Sequence, residues 1–190
     1  MTKLNYWNQT WSLDEAQCPC DLHLVEYLQG KKVRDASIFH FGTGNHHIVG
    51  LKMAENGANC AVLGITASPQ EYNDYIKLVV ERPEVGRTYK ALFGDIYQLD
   101  ARLLPPFDFV TLFHTGEFRT EKNDAYGALT DFEVAELLVG KLNAGGRVLF
   151  FSGSFAFDKA EAVAVRLVAE RLVTPEPDYK SLRVYRKAAN

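Results

Sequence analysis

The residues of this sequence best suited to chemistry are a glycine turn, Gly42-Thr43-Gly44, and two ionisable side chains, His114 and Glu117. Each group directly follows a run of apolar residues, 37–41 or 107–113. Glycine allows a backbone to approach a ligand closely, and the N-terminus of a helix after such a turn favours a negatively charged group. Because the ordinary pKa of histidine lies near neutrality, His114 is the best candidate for a general base, and Glu117 for a contact with substrate.

Each of these groups also has an interpretation without chemistry. A tight connection between a strand and a helix needs glycine even where no ligand binds. His114 also suits a residue that caps a strand end or lines a cofactor site, and Glu117 suits a solvated loop. The turn does not match two common nucleotide-binding signatures. A dinucleotide site would require glycine in place of His47 and an acid in place of Thr66, and no Gly-Lys-Ser/Thr follows as in a phosphate-binding loop.

A second group of chemically capable residues is Cys18-Pro19-Cys20-Asp21-Leu22-His23. Thiolates and imidazoles are zinc ligands, but the spacing is Cys-x-Cys and no second cysteine pair exists to complete a tetrahedral site. We therefore expect a buried turn between two helices and no metal site. His46 and His47 are adjacent, so on a helix they point in different directions and do not share a metal.

Alternating strands and helices must position these residues. The apolar runs and turn residues predict strands at 37–41, 60–65, 89–93, 107–113 and 147–151, and helices at 45–56, from Ser68-Pro69 onward, at 130–142 and at 158–170. This alternation implies a mainly parallel sheet covered on both faces. Two short runs near 171–174 and 181–186 have no helix between them, so we expect them to pair antiparallel at the sheet edge. Ligands bind beyond the carboxyl ends of the strands in such sheets, where the glycine turn and His114 lie.

Residues 1–30 are predicted to form a helical extension packed on a domain at 31–190. Ser12 and Glu15 have the spacing of a capping box, and Gly30 suits the end of a second helix after Cys20. Tyr6, Trp7 and Trp11 suit a lid over the cleft, or a packing contact between the extension and the sheet.

Composition limits the partners. The chain has 190 residues, 47% of them hydrophobic, and a formal net charge of −3. Its basic residues are scattered among acids, which disfavours nucleic acid. No apolar run approaches the roughly 18–20 residues of a membrane span, and the first ten residues do not resemble a signal peptide. The odd, sparse set of three cysteines favours reduced thiols. We expect a cytoplasmic protein that acts on a small molecule, and the sequence does not indicate an oligomeric state.

Several segments, taken in order, resemble the motifs of class I S-adenosylmethionine-dependent methyltransferases. The matching segments are Ile38-Phe39-His40-Phe41-Gly42-Thr43-Gly44-Asn45, Val62-Leu63-Gly64-Ile65-Thr66-Ala67-Ser68-Pro69, Phe93-Gly94-Asp95-Ile96, Phe107-Asp108-Phe109-Val110 and Leu142-Asn143-Ala144-Gly145-Gly146-Arg147-Val148-Leu149. The resemblance implies an α/β fold, a three-layer αβα Rossmann-like sandwich whose mostly parallel seven-stranded sheet ends in an antiparallel C-terminal hairpin. It also implies S-adenosylmethionine as cofactor and methyl transfer as the activity.

The same resemblance implies roles for individual residues. The cofactor-binding set would be His40, Gly42, Thr43, Gly44, Thr66, Ala67, Asp95 and Ile96. Within it, the glycines approach the amino-acid half of the cofactor, Thr66 and Ala67 lie beside the ribose, and Asp95 and Ile96 flank the adenine. His114 and Glu117 would face the methyl acceptor as the catalytic pair.

Three positions depart from the family pattern, and all are expected at the cofactor. His40 stands where an acid is usual, His46 replaces the third glycine, and Thr66 replaces the acid that holds the ribose hydroxyls. A hydrogen bond to a charged group contributes about 1.5–3 kcal/mol, so losing one weakens a site and losing two can abolish it. The alternative prediction is therefore a methyltransferase-like protein without catalysis that serves as a binding or assembly partner.

Overall fold

A seven-stranded sheet forms the centre of the computed structural model, which describes residues 2–189. The strands are β1 Ser37–Phe41, β2 Ala61–Thr66, β3 Tyr89–Phe93, β4 Phe107–Thr111, β5 Leu142–Phe151, β6 Val173–Pro175 and β7 Leu182–Lys187. Their spatial order is β3-β2-β1-β4-β5-β7-β6. Strands β1 to β5 pair in parallel, whereas β7 pairs antiparallel with both β5 and β6. The predicted sheet and its reversed edge are confirmed.

Helices cover both faces of the sheet. They are α1 Cys20–Gly30, α2 Ile48–Glu55, α3 Pro69–Glu81, α4 Val85–Thr88, α5 Glu121–Asp124, α6 Asp131–Gly140 and α7 Phe157–Ala169. Successive side chains of a strand point to opposite faces, so Ile38 joins one apolar core with α1 and α2, while Phe39 joins another with α6 and α7. This is the expected three-layer sandwich.

Local sequence signals account for several boundaries. Ser68 caps α3 by accepting a hydrogen bond from the backbone N–H of Glu71, and Pro69 occupies the first helical turn, as predicted. The helix predicted at 45–56 begins only at Ile48, because His47 adopts a left-handed conformation with φ of 46°. The strand predicted at 147–151 begins earlier, at Leu142.

The helix predicted from Ser12 is wrong. The Asp14 carboxylate accepts hydrogen bonds from the backbone N–H groups of Ala16 and Gln17, which closes a single turn. The Ser12 hydroxyl instead accepts from the Asn45 amide, at 3.3 Å. Helix in this part of the chain is confined to α1, and the predicted division between extension and domain at residue 30 stays a prediction.

Residues 5–12, termed the N-terminal segment, lie across the carboxyl ends of β1 and β2. The Trp7 N–H donates to the Ala67 carbonyl at 3.0 Å, and the Asn45 N–H donates to the Trp11 carbonyl at 2.9 Å. The Ser68 hydroxyl donates to the Gln9 carbonyl at 2.6 Å. Main-chain atoms thus hold this segment over the edge of the sheet where a ligand is expected.

Cys18, Cys20 and Cys60 are free thiols. Within residues 2–189, none of the helices has the length and apolar character needed to cross a membrane.

Candidate functional site

A cavity of about 460 Å³ opens at the carboxyl ends of β1 and β2. Its walls come from the glycine turn after β1, the connection from β2 to α3, the loop after β4, the N-terminal segment and the start of α1. Cavities of roughly 300–1,000 Å³ are typical of small-molecule sites. The sheet therefore places a ligand-sized cavity at the edge predicted from the sequence.

Both glycines of the turn are required by geometry. Gly42 and Gly44 have φ of +86° and +55°, a region that favours glycine. A Cβ added to Gly42 would lie 2.8 Å from Cδ2 of His114. A Cβ added to Gly44 would lie 2.9 Å from the Trp11 carbonyl oxygen and would collide with the His46 imidazole. Positions 42 and 44 of the turn therefore have no room for a larger residue.

The structure brings together some of the predicted site residues and separates others. Those that line the cavity are Gly42, Gly44, Thr66, Ala67, His114 and Glu117. Those that lie away from its lining are His40, Thr43, Asp95 and Ile96. The cavity is also lined by residues that sequence reasoning did not select, above all Asp21 and Glu71.

Asp21 supplies a buried negative charge beside the glycine turn. This α1 carboxylate lies 3.6 Å from Nε2 of His40 and 3.9 Å from Nε2 of His46. Burial raises the pKa of Asp21, but the facing imidazoles, His40 foremost, outweigh that effect and hold its pKa below the ordinary value. The family's acid at the end of the first strand is absent, and a carboxylate from α1 stands nearby instead.

His40 itself packs beneath this carboxylate. Its Nδ1 lies 2.8 Å from the Thr111 hydroxyl on the adjacent strand β4. Its Nε2 is buried and has no hydrogen-bond partner in the described part of the chain. His46 does line the cavity, and burial lowers its pKa while Asp21 opposes that shift.

Glu71 places a second buried carboxylate next to Thr66. The Thr66 hydroxyl donates to Oε2 of Glu71 at 2.7 Å, and the Trp11 N–H donates to Oε1 at 3.1 Å. Burial raises the pKa of Glu71, and these hydrogen bonds offset part of the rise. The threonine that replaces the family's ribose-binding acid is thus paired with an acid from α3.

His114 and Glu117 form a hydrogen-bonded pair on the loop after β4. Nδ1 of His114 lies 3.1 Å from Oε2 of Glu117, and Oε1 of Glu117 accepts from the Ser154 hydroxyl at 2.5 Å. Burial lowers the pKa of His114, but the contact with Glu117 outweighs it and raises the pKa above the ordinary value. Because a carboxylate only accepts, Nδ1 carries the proton and Nε2 is the nitrogen left for other partners.

Two thiols lie at the same wall of the cavity. Sγ of Cys18 and Sγ of Cys20 are 3.6 Å apart. The hydrogen bond between them lowers the pKa of Cys18 to about 7 and raises that of Cys20.

Asp95 is engaged away from the cavity. Its Oδ2 accepts from the Asn123 amide at 2.7 Å and from the Tyr126 hydroxyl at 2.5 Å, while Oδ1 accepts from the Tyr97 N–H. Asn5 of the N-terminal segment donates to Oδ1 of Asn123 at 2.9 Å and completes the network. The residue expected beside adenine therefore already accepts three hydrogen bonds from protein groups, through both of its oxygens.

Three aromatic rings form one side of the cavity. Phe118 meets Trp7 and Trp11 edge to face, with ring centroids 5.2 and 5.1 Å apart, and the two indoles are 6.3 Å apart. Edge-to-face packing of this kind holds rings rigidly and leaves apolar faces for a flat ligand. The position of both tryptophans on the cavity wall agrees with the lid interpretation and also with the packing interpretation.

Comparison with known proteins identifies relatives in structure alone. No protein-family model matches the sequence, and no curated protein matches it. An rRNA methylase from Streptococcus thermophilus superposes with a TM-score of 0.60 and 14% identity, covering 89% of this chain and 97% of that one. A precorrin-6y C5,15-methyltransferase from Geobacter metallireducens gives 0.61 and 11%, covering 98% and 94%. A magnesium protoporphyrin IX methyltransferase from Synechocystis with bound SAM gives 0.60 and 14%, covering 90% and 79%. At such identities, these likenesses show a shared fold.

Proposed function

We propose that this chain, which has the fold of the class I S-adenosylmethionine-dependent methyltransferases, binds S-adenosylmethionine and transfers its methyl group to a small-molecule acceptor. The observation that carries the proposal is the cavity at the glycine turn, flanked by buried carboxylates from α1 and α3. These carboxylates supply negative charge near the ends of β1 and β2, where His40 and Thr66 stand in place of acids.

The residues of the cavity fit an adenosyl cofactor. Gly42 and Gly44 leave a cradle that a Cβ would fill. Asp21 offers a carboxylate to a cationic group beside this turn, and Glu71 with Thr66 offers oxygens to hydroxyl groups farther along. The rings of Trp7 and Phe118 give an apolar wall for a flat base. Each chemical part of the cofactor thus has a matching set of side chains.

Methyl transfer places few chemical demands on the protein. When bound, S-adenosylmethionine supplies an electrophilic methyl group on a sulfonium. The protein must hold the acceptor in line and, for a weakly acidic acceptor, remove a proton. We assign that role to Nε2 of His114, because Glu117 keeps the proton on Nδ1 and Ser154 in turn orients Glu117.

Calorimetric titration with S-adenosylmethionine and S-adenosylhomocysteine tests the binding step. We expect saturable heat for the unmodified protein, and a Glu71→Gln variant with roughly 10- to 150-fold weaker binding, because one charge-assisted hydrogen bond contributes about 1.5–3 kcal/mol. Glu133→Gln is the matched control, since Glu133 occupies the corresponding position in the first turn of α6 but is exposed. Absence of heat at millimolar ligand, or equal weakening in both variants, would refute the proposal.

A binding protein without catalysis is the second candidate, and the network around Asp95 favours it. Asn123, Tyr126 and the Tyr97 N–H already satisfy this carboxylate. A site that has lost its activity is expected to lose such adenine contacts, here at Asp95, while the protein keeps its fold. Transfer of labelled methyl groups from S-adenosylmethionine decides between the two candidates, because the second predicts none whether or not the cofactor binds.

The acceptor class rests on charge and cavity size. A net charge of −3 disfavours a polyanionic acceptor, although rRNA methylases are among the structural neighbours. We expect methyl transfer to small molecules in an extract. Incorporation of labelled methyl groups into RNA in place of these would overturn this part of the proposal.

A further inference from the structure

We propose that Cys18, Cys20 and His114 bind a thiophilic divalent cation, Zn²⁺ in the first place, at the wall of the cavity. The two sulfurs and one ring nitrogen of His114 all lie within 4.8 Å of one another. This site goes beyond the proposed function, since nothing in it requires an adenosyl ligand. A bound cation would occupy the same Nε2 lone pair of His114 that we assign to proton removal, so that role belongs to the metal-free protein.

The separation of the sulfurs matches one tetrahedral ion. With Zn–S bonds of about 2.3 Å, two sulfurs on a tetrahedral centre lie about 3.8 Å apart. Sγ of Cys18 and Sγ of Cys20 are 3.6 Å apart. A cation between them therefore requires only a small adjustment of the side chains.

The backbone holds the two thiols in place. The Cys18 N–H donates to the Asp14 carbonyl at 2.8 Å, and the His23 N–H donates to the Pro19 carbonyl at 2.9 Å. Cys20 is the first residue of α1 and is only 2% exposed. The pair is thus fixed on a short turn and the first turn of a helix, not on a mobile loop.

The surroundings of His114 match those of a metal-binding histidine. Such a histidine almost always donates its other ring N–H to a carboxylate or carbonyl, which fixes its orientation. Here Nδ1 of His114 donates to Glu117 at 3.1 Å, and Ser154 donates to the same carboxylate. Nε2 is left with its lone pair as the third ligand.

The charge and the number of the three ligands also suit a single divalent cation. Two thiolates neutralise a dication, and a neutral imidazole completes a three-ligand set like that of open zinc sites. All three residues line the cavity, so the fourth position faces it and can take water or a small ligand. The Cys-x-Cys spacing by itself predicted no metal site, because the third ligand comes from a distant part of the chain.

Cobalt titration of the reduced, metal-free full chain tests the site directly. We expect one Co²⁺ per chain, with the near-ultraviolet thiolate charge-transfer band and the intense visible bands of tetrahedral cobalt, and displacement of both by Zn²⁺. No adenosyl ligand is added, so this outcome is independent of the methyltransferase proposal. Cobalt binding without the thiolate band, or no binding, would refute the site.

Three cysteine variants test which thiols bind the cation. Cys18→Ser and Cys20→Ser are expected to lose the charge-transfer band, whereas Cys60→Ser is expected to keep it, because Cys60 is buried elsewhere against the Ala58 carbonyl. Glu117→Gln should weaken binding about 10- to 100-fold while keeping the band. Retention of the full band in Cys18→Ser or Cys20→Ser would overturn the assignment.

Alkylation of the unmodified protein provides a measurement that does not depend on variants. Zn²⁺ should protect Cys18, the more exposed of the two thiols, from iodoacetamide, as mapped by mass spectrometry. If Zn²⁺ leaves the alkylation of Cys18 unchanged, or if the two cysteines form a disulfide and the reduced protein binds no cobalt, the proposal is wrong.

Discussion

Single residues determine the electrostatics of this cavity. Asp21 and Glu71 are both buried, yet their pKa values shift in opposite directions. Asp21 faces imidazoles that stabilise its charge, whereas Glu71 is surrounded by hydroxyl and amide donors that only partly offset desolvation. The charge near the glycine turn is therefore firmly held, and the charge near Thr66 is the one that a ligand can alter.

His47 gives a pH-dependent prediction at this scale. Its Nε2 donates to the Glu71 carbonyl at 3.0 Å and its Nδ1 accepts from the Tyr89 hydroxyl at 2.7 Å, so the neutral ring is fully hydrogen-bonded. Burial lowers its pKa from 6.5 to about 4. Between these pH values the unfolded chain binds more protons than the folded one, so stability falls as the pH falls.

We expect the free energy of unfolding in urea to drop by about 2–3 kcal/mol through this group as the pH falls from 7 to about 4.5. His47→Asn, which suits the left-handed φ of 46°, should show a drop smaller by that amount. Parallel pH profiles for the two proteins would contradict the assignment.

The sequence could not reveal the role of Glu71, for a local reason. Ser68 and Glu71 have the spacing of a helix cap, and Ser68 does accept from the Glu71 N–H. The carboxylate, however, turns away from the helix start toward Thr66 and the N-terminal segment, and that contact depends on tertiary structure. The proximity of Cys18 and His114 likewise depends on tertiary structure, because the two residues are far apart in the sequence.

At the scale of elements, the turn between β1 and α2 tolerates little change. Gly42 combines a left-handed backbone with a close approach by the His114 ring. The histidine cannot retreat freely, because Glu117 holds its other nitrogen.

Gly42→Ala should therefore destabilise the protein by about 2–4 kcal/mol, the sum of a left-handed penalty of about 1–2 kcal/mol and overpacking of at least about 1 kcal/mol. Gly140→Ala is the control, because nothing lies within 4 Å of an added Cβ at the end of α6. Urea unfolding of both variants measures the difference, and similar midpoints would show that the turn is more plastic than the structure implies.

Elements with strong local signals were predicted well, and those that depend on competing contacts were not. The strand at Tyr89–Phe93 and the capped start of α3 followed from an apolar run and from Ser68-Pro69. The predicted helix at Ser12 does not form. Trp11 and Ser12 are held in a non-helical path by contacts with Glu71 and Asn45, and Asp14 then closes only one isolated turn.

At the scale of the whole molecule, the order of the strands explains where the cavity lies. β1 lies between β2 and β4, so the connections after the neighbouring strands β1 and β4 lead in opposite directions across the sheet. A crevice forms at such a reversal of strand order. The alternating pattern of the sequence was sufficient to predict this architecture, whereas the N-terminal segment that crosses the crevice carries no comparable pattern.

Ligand binding at this crevice should stabilise the entire fold. At a concentration 100 times its dissociation constant, a ligand adds about 2.7 kcal/mol to the free energy of unfolding. For a chain of this size, that corresponds to a rise in melting temperature of about 5–10 °C. Thermal unfolding monitored with S-adenosylhomocysteine measures the shift, and an unchanged melting temperature at saturation in calorimetry would mean that the ligand binds a minor or non-native state.

The attachment of the N-terminal segment has a consequence for how the site can diversify. Its anchors use the Trp7 N–H, the Gln9 carbonyl, and both the N–H and the carbonyl of Trp11. Such anchors persist when side chains are exchanged. Mutation of these side chains can therefore change the shape of the cavity entrance, and with it ligand specificity, while the backbone of the N-terminal segment keeps its path.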